Sequence, residues 1–138
     1  MPRDVAPIAY AVIREDPRLE GDLAWRTSAE HLLCVASGGC VALSVASRFP
    51  RVAVTAFDAD AAQLDHMARK ADAAMRRELA ALNVEDASSE GLNQAGELEK
   101  VFRLLRAFFG EFIAPHAERL AFFTRSKPLP ELDSMVRG

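Results

Sequence analysis

The sequence predicts an α/β fold in which a parallel sheet is flanked by helices and the carboxyl half is rich in helix. Two continuous apolar runs, residues 32–36 and Ala53–Phe57, have the length and character of strands buried on both faces. A diglycine turn follows the first run and Asp58 follows the second. Strand, turn, helix, strand and acid in this order are typical of a βαβ unit that binds an adenosine-containing ligand.

Composition is that of an ordinary globular domain. The chain has 138 residues, of which 50% are hydrophobic and 27% are charged, and such a length fits one domain with a core of its own. The net charge of -3 gives no sign of a nucleic-acid partner. No apolar run approaches the roughly 18 residues of a membrane span, and the amino terminus lacks the apolar core of a signal peptide. A cytoplasmic location is therefore expected.

The segments around the first strand are less regular. Residues 8–13 are mildly apolar and lead into Glu15-Asp16-Pro17, where the proline disfavours helix at the residue before it. We expect a connector from there to about Glu30. Between the two strands, residues 41–47 are small and apolar and Pro50 follows them, which predicts a short helix packed closely on the sheet.

Two longer helices are predicted after the second strand. The first begins at Ala61 and runs to about Leu82, with an apolar stripe at helical spacing; Asp60 and Gln63 before and within its first turn resemble a capping box. Residues 83–96 are polar and predict a loop. The second helix ends near Pro115. Its stripe consists of Leu98, Val101, Phe102, Leu105, Phe108, Phe109, Phe112 and Ile113.

That phenylalanine-rich stripe is expected to pack within the chain's own core, with a partner surface as the alternative. Residues 120–123 fit a short helix or a strand, and a turn follows at 127–130. We therefore predict one domain, with 1–31 as a lead-in, 32–82 as a βαβα cofactor-binding unit and 97–123 as a helical region.

The turn Ser37-Gly38-Gly39 and Asp58 are the strongest candidates for a binding site. Asp58 ends its strand about 20 residues after Gly38, which is the spacing expected of a carboxylate that binds ribose hydroxyls. A tight turn with no ligand is the alternative for the glycines. Asp60 fits a helix cap better than a ligand contact, and Glu15 and Asp16 also fit solvated turn residues.

Histidine and cysteine indicate neither a metal site nor a nucleophile. His31 flanks a strand, His66 is expected on the polar side of its helix, and no histidine has a partner at metal-ligand spacing. Cys34 and Cys40 are too few for a disulfide framework, so both are expected as reduced thiols. Cys40 is interpreted as a small turn residue, because no histidine is placed to activate it.

Several of these segments together resemble a known enzyme family. The match comprises Tyr10, Arg14-Glu15-Asp16-Pro17, Leu32 to Cys40 with Ala42-Leu43, and Asp58-Ala59-Asp60 with Gln63-Leu64 and Lys70. This pattern is similar to the opening half of the S-adenosylmethionine:diacylglycerol 3-amino-3-carboxypropyl transferases, the BtaA-like enzymes of betaine-lipid biosynthesis. The resemblance runs to about Arg76 and returns faintly in residues 96–103.

The resemblance implies a partial Rossmann-like, methyltransferase-type sheet and S-adenosylmethionine as cofactor. It also implies 3-amino-3-carboxypropyl transfer to a hydroxyl acceptor such as diacylglycerol, at the inner face of the membrane. Ser37 to Gly39 would approach the cofactor, Asp58 would bind its ribose, and Glu15 and Asp16 would close over it or hold its ammonium group. The implied cofactor-binding residues are Tyr10, Glu15, Asp16, Ser37, Gly38, Gly39, Cys40, Asp58, Asp60 and Gln63.

The chain departs from the family pattern at three positions and in extent. Asp60 and Ala61 replace an Asn and a Pro, and Val41 replaces an Asn. The later strands and the acceptor-binding part have no counterpart, which indicates a fragment, a reduced paralogue, or a chain whose sheet is completed by a second copy or another chain. A different Rossmann-like enzyme, such as a methyltransferase or a nicotinamide-dependent one, and a non-catalytic interaction module stay open as alternatives.

Overall fold

A computed structural model describes residues 7–13, 15–83 and 90–124. These residues fall into two compact units, which divide between Val101 and Phe102. The helices and strands, in chain order, are α1 (Arg18–Arg26), β1 (His31–Val35), α2 (Cys40–Arg48), β2 (Ala53–Phe57), α3 (Ala61–Met75), α4 (Leu79–Leu82), a 3₁₀ turn (Leu92–Gln94), α5 (Glu97–Phe108), a π-helical turn (Phe109–Ile113) and α6 (His116–Thr124).

The sheet consists of two parallel strands joined through α2, which confirms the predicted βαβ unit. β1 and β2 pair in register from His31 beside Ala53 to Val35 beside Phe57. The prediction that both faces of the strands are covered was wrong for this part of the chain. Side chains alternate between half-buried and exposed along each strand, and Leu33 and Val35 are 68% and 56% exposed. The chain is therefore mixed α/β, with one sheet face open among the described residues.

Helix α1 was not predicted, because residues 17–30 were interpreted as a connector. Pro17 stands directly before the first helical residue, a position where proline is tolerated, so the residue that ends the extended segment also begins a helix. Gly21 is buried against the ring of Phe49, with no room for a Cβ there. Small residues therefore let α1 approach the end of α2 closely.

Helix α3 begins at the predicted residue but ends seven residues earlier than expected, at Met75 rather than Leu82. No glycine or proline marks this end. The amide N–H groups of Arg77 and Glu78 donate to Ala74 O and Ala73 O, and Arg77 adopts a left-handed φ of 58°. This is a Schellman motif with arginine in the position usually held by glycine, so the sequence carries no visible stop signal.

The buried face of α3 is not the predicted apolar stripe. It consists of Gln63, His66, Lys70 and Ala73, whereas Met75 is 77% exposed. The periodicity of the sequence correctly predicts a helix with two different faces. Hydropathy, however, predicts burial of the apolar face, whereas the structure buries the polar one.

In the second unit, the phenylalanines contact one another but stay exposed. The rings of Phe108 and Phe112 lie 5.1 Å apart, and those of Phe108 and Phe109 lie 6.2 Å apart, edge to face. All three side chains are exposed, so the prediction that they pack into the core was wrong. The second predicted helix ends before Pro115 as predicted, since α5 and the π-helical turn run to Ile113, and residues 120–123 are helical. The predicted turn at 127–130 lies outside the described residues.

None of the helices in the described ranges is long and apolar enough to cross a bilayer.

The end of α1 yields a stability prediction. Ser28 N–H donates to Trp25 O and Ala29 N–H to Ala24 O, and Ser28 has a φ of 52°, which is again a Schellman motif without glycine. Since glycine adopts this conformation without a steric penalty, Ser28→Gly is expected to raise the free energy of unfolding by about 0.5–1 kcal/mol. Ser28→Ala keeps the strain and is the matched control. Equal urea midpoints for the two variants would contradict this account.

Candidate functional site

The diglycine turn and Asp58 meet at the edge of the sheet where both strands end. Ser37 N–H donates to Asp58 Oδ2 over 2.9 Å, and Asp60 N–H donates to Asp58 Oδ1 over 3.0 Å. The half-buried carboxylate thus ties the two strand ends together. Each of its oxygens can accept one further hydrogen bond, which leaves Asp58 able to bind a polar ligand.

Ser37 is held in a left-handed conformation, with a φ of 45°. Its N–H is fixed by Asp58, and its carbonyl accepts a hydrogen bond from Gln63 Nε2. The left-handed conformation is energetically unfavourable for a residue with a Cβ. Such a residue adopts it only where several surrounding contacts hold it there. Two side chains from separate elements therefore set the shape of this turn.

The two glycines of the turn are required by contacts within the chain. A Cβ on Gly38 would lie 2.7 Å from Val12 Cα and 2.9 Å from Ala11 O. Gly39 has a φ of 79°, and its Cβ would lie 2.8 Å from Met67 Cγ. The space that the missing Gly38 side chain leaves is thus filled by the backbone of residues 8–12, which we call the strap.

Gln63 connects the strap to the turn. Its Oε1 accepts from Tyr10 N over 3.3 Å, while its Nε2 donates to Tyr10 O over 3.0 Å and also to Ser37 O. Asp60 caps α3 as predicted, by accepting from Ala62 N over 2.9 Å. The predicted return bond from Gln63 to the cap was wrong, because Asp60 N–H donates to Asp58. The Gln63 side chain is buried and holds backbone on two other segments.

Lys70 is a buried cation that joins three segments. Its Nζ donates to Ala11 O over 2.9 Å and to Gly38 O over 2.7 Å, and it lies 3.7 Å from Cys40 Sγ. Burial lowers the pKa of Lys70, while Cys40 and then Glu99 act in the opposite direction. The ammonium group has an acceptor for each of its three N–H bonds, as a buried cation requires.

His66 and Glu99 contact the two backbone polar groups of the same strap residue, Ala11. Glu99 Oε2 accepts from Ala11 N over 2.7 Å, and His66 Nε2 lies 3.3 Å from Ala11 O. A carbonyl only accepts, so His66 carries its proton on Nε2. Its ring is fully buried, and burial is the main reason why the pKa of His66 lies below its ordinary value. His66 lies in the polar row of α3, as predicted, but this row is buried rather than exposed to solvent.

The first turn of α5 also forms hydrogen bonds with the strap. Glu97 N–H donates to Ile8 O over 2.9 Å, and Leu98 N–H donates to Ala9 O over 3.1 Å. These are amides that have no partner inside their own helix. The strap carbonyls therefore cap α5, while α3 holds the next peptide along the strap.

The structure does not bring every predicted residue to this cluster. Asp16 accepts from the backbone N–H and guanidinium of Arg18 at the start of α1, and these hydrogen bonds hold the pKa of Asp16 at about 2. Glu15 is exposed, and no hydrogen bond within the described residues links it or Asp16 to the turn. Tyr10 joins through its backbone, and Cys40 joins through Lys70. Cys34 and Cys40 are both free thiols, as predicted.

Three residues of the cluster were missed as site candidates: His66, Lys70 and Glu99. His66 and Lys70 follow Gln63 at three and seven residues along α3, so a polar row on one helix face was present in the sequence. The sequence did not indicate that this polar row is buried. No group of three or more potential metal ligands occurs in the part of the chain that the structure describes.

Comparison of the chain with protein-family models, curated proteins and solved structures gives no match.

The role of Lys70 in joining strap and turn can be measured. Lys70→Met removes the charged donor that Ala11 O and Gly38 O share, and we expect it to lower the free energy of unfolding by about 2–4 kcal/mol. Lys100→Met is the matched control, because Lys100 forms only an exposed ion pair with Glu97 and its loss is expected to cost less than about 0.5 kcal/mol. Urea unfolding measures both. Similar decreases in the free energy of unfolding of the two variants would show that Lys70 does not hold the strap and the turn together.

The buried imidazole predicts a pH dependence of stability. Because burial holds His66 neutral in the folded chain, the unfolded chain takes up a proton first as the pH falls through the ordinary value of 6.5. The free energy of unfolding should therefore decrease below about pH 6.5, by at most about 1.4 kcal/mol per pH unit from this one proton.

His66→Gln, which does not titrate, should flatten this dependence in urea titrations between pH 5 and pH 8. Lys70 contributes in the same direction at higher pH, since its lowered pKa makes stability rise with pH below its ordinary 10.5. An unchanged slope between pH 5 and pH 6.5 in the variant would exclude His66 as its source.

Proposed function

We propose that this chain is an S-adenosylmethionine-binding unit of an alkyl transferase, and that the group transferred is the 3-amino-3-carboxypropyl group. The observation that carries the proposal is the hydrogen bond between Ser37 N–H and Asp58 at the carboxyl ends of two parallel strands. Ligands of open α/β sheets bind outside this edge, and a carboxylate at the end of the second strand is suited to ribose hydroxyls.

The residues present fit the adenosine side of the cofactor. Asp58 is half-buried, and its two oxygens, each already oriented by a backbone N–H, have free lone pairs for the two hydroxyls of a ribose. The ring of Tyr10 is 46% exposed on the strap beside the turn, where an aromatic side chain can contact an adenine or the methionine chain. The close approach once expected at Gly38 does not fit, because the strap fills that space.

The bound cofactor would supply a sulfonium whose three attached carbons are electrophilic. Which group leaves depends on the carbon that the acceptor hydroxyl approaches in line, so the residues that position the methionine chain select the product. The family resemblance proposes Glu15 and Asp16 for its ammonium group; Asp16 would have to exchange its ion pair with Arg18 for this contact, whereas Glu15 is exposed. No described side chain is assigned as the base for the acceptor hydroxyl, for which diacylglycerol is the proposed class.

A non-catalytic interaction module is the second candidate, and one observation favours it. The exposed sheet face carries large apolar side chains, with Leu33, Val35 and Phe57 all at least half exposed. Apolar sheet faces are normally covered, by more of the same protein or by a partner. The first proposal accommodates this face too, as the surface against which a second copy or another chain completes the sheet.

Calorimetric titration with S-adenosylhomocysteine tests the proposal. We expect saturable binding to the wild-type chain and a loss of at least tenfold in affinity in Asp58→Ala, because the ribose hydroxyls lose a charged acceptor. Asp58→Asn keeps an acceptor for one backbone N–H and guards against loss of fold. Asp65→Asn, on the exposed side of α3, is the matched control with unchanged affinity.

Two outcomes would overturn the proposal. Absence of heat with a folded wild-type chain favours the interaction module. Equal affinities for wild type and both Asp58 variants would place any binding elsewhere. Product analysis with S-adenosylmethionine and diacylglycerol then separates methyl from aminocarboxypropyl transfer, by release of S-adenosylhomocysteine or of methylthioadenosine.

A further inference from the structure

A cavity of about 910 Å³ lies at the end of the sheet where the strands begin, opposite Asp58. Its walls come from the carboxyl ends of α1 and α2 and from the first residues of both strands, His31 and Ala53. All of these elements belong to the first compact unit. The volume is within the roughly 300–1,000 Å³ typical of small-molecule sites.

The lining combines flat apolar groups with positive charge. Trp25 and Phe49 provide aromatic surface, and Trp25 is 74% exposed. Arg48 and Arg51 provide two guanidinium groups against the single carboxylate of Glu30. The charged lining is thus net positive in a chain whose formal charge is -3. An arginine beside an exposed aromatic ring suits a ligand that is both planar and anionic.

Helix chemistry explains only one of the two arginines. Arg48 is in the last turn of α2, where a cation offsets the partial negative charge of the helix end. Arg51 lies outside any helix, and it takes part in no salt bridge within the described residues. Its charge is available to a ligand in the cavity.

We propose that this cavity binds a small aromatic acid, with its ring against Trp25 and Phe49 and its acidic group on Arg48 and Arg51. The ring would cover an apolar side chain that is otherwise in water. The guanidinium groups would hold the carboxylate or similar group by charge-assisted hydrogen bonds. The site is separate from the edge at Asp58, so it does not depend on the proposed transferase function.

Trp25 is the only tryptophan in the chain, so its fluorescence reports on this cavity alone. The probes are 4-nitrobenzoate, an aromatic acid whose ring quenches tryptophan, and 4-nitrobenzamide, which has the same ring without the charge. We expect saturable quenching by the acid, with an affinity at least tenfold higher than that of the amide. Arg51→Ala and Arg48→Ala should each weaken binding of the acid at least fivefold, whereas Arg76→Ala, directly after α3, should not change it.

The proposal is overturned if quenching by the acid rises linearly with concentration, if acid and amide bind equally, or if folded Arg51→Ala binds the acid as wild type does. Asp58→Ala should retain full binding of 4-nitrobenzoate, and S-adenosylhomocysteine should not compete for it. These two controls distinguish failure of this site from failure at the other end of the sheet.

Discussion

The hydrogen bonds of Lys70 to Ala11 O and Gly38 O are the constraint on which the candidate site depends. One buried ammonium holds the strap against the turn that follows β1, and Glu99 accepts a hydrogen bond from the N–H of the same strap residue, Ala11. A buried ammonium group is tolerated only when its N–H donors have acceptors. The strap, the turn after β1 and the helix that carries Lys70 therefore hold one another in position. The turn owes its shape to a polar cluster as much as to its glycines.

This cluster changes what the diglycine indicates. Paired glycines after a first strand are commonly explained by a ligand that approaches the backbone. Here the strap occupies the space beside Gly38, and Met67 occupies the space beside Gly39. The glycines would therefore be needed in this fold without a ligand. Asp58 is therefore the stronger sign of a binding site, because the contacts that require the two glycines do not involve its carboxylate.

Features governed by local sequence were predictable, and features governed by burial were not. Continuous apolar runs located β1 and β2, and the short apolar segment between them located α2. The row of Gln63, His66 and Lys70 was misassigned because hydropathy places such residues outside, and the backbone groups that satisfy them belong to the distant strap. Helix ends at Ser28 and Arg77 were invisible because both lack the usual glycine.

The cluster binds the strap through its main chain, and this has a consequence for function. Gln63, Lys70, His66 and Glu99 all contact N–H or C=O groups of Tyr10 and Ala11. Ile8 and Ala11 of the strap are buried, but the Tyr10 side chain is not needed to hold the strap and stays exposed next to the turn. The backbone of Tyr10 is fixed while its ring stays exposed. The strap therefore positions this ring without filling the edge of the sheet outside Asp58. Such preorganisation favours a ligand at that edge. The entropy cost of ordering the strap is offset by folding, so it does not weaken binding.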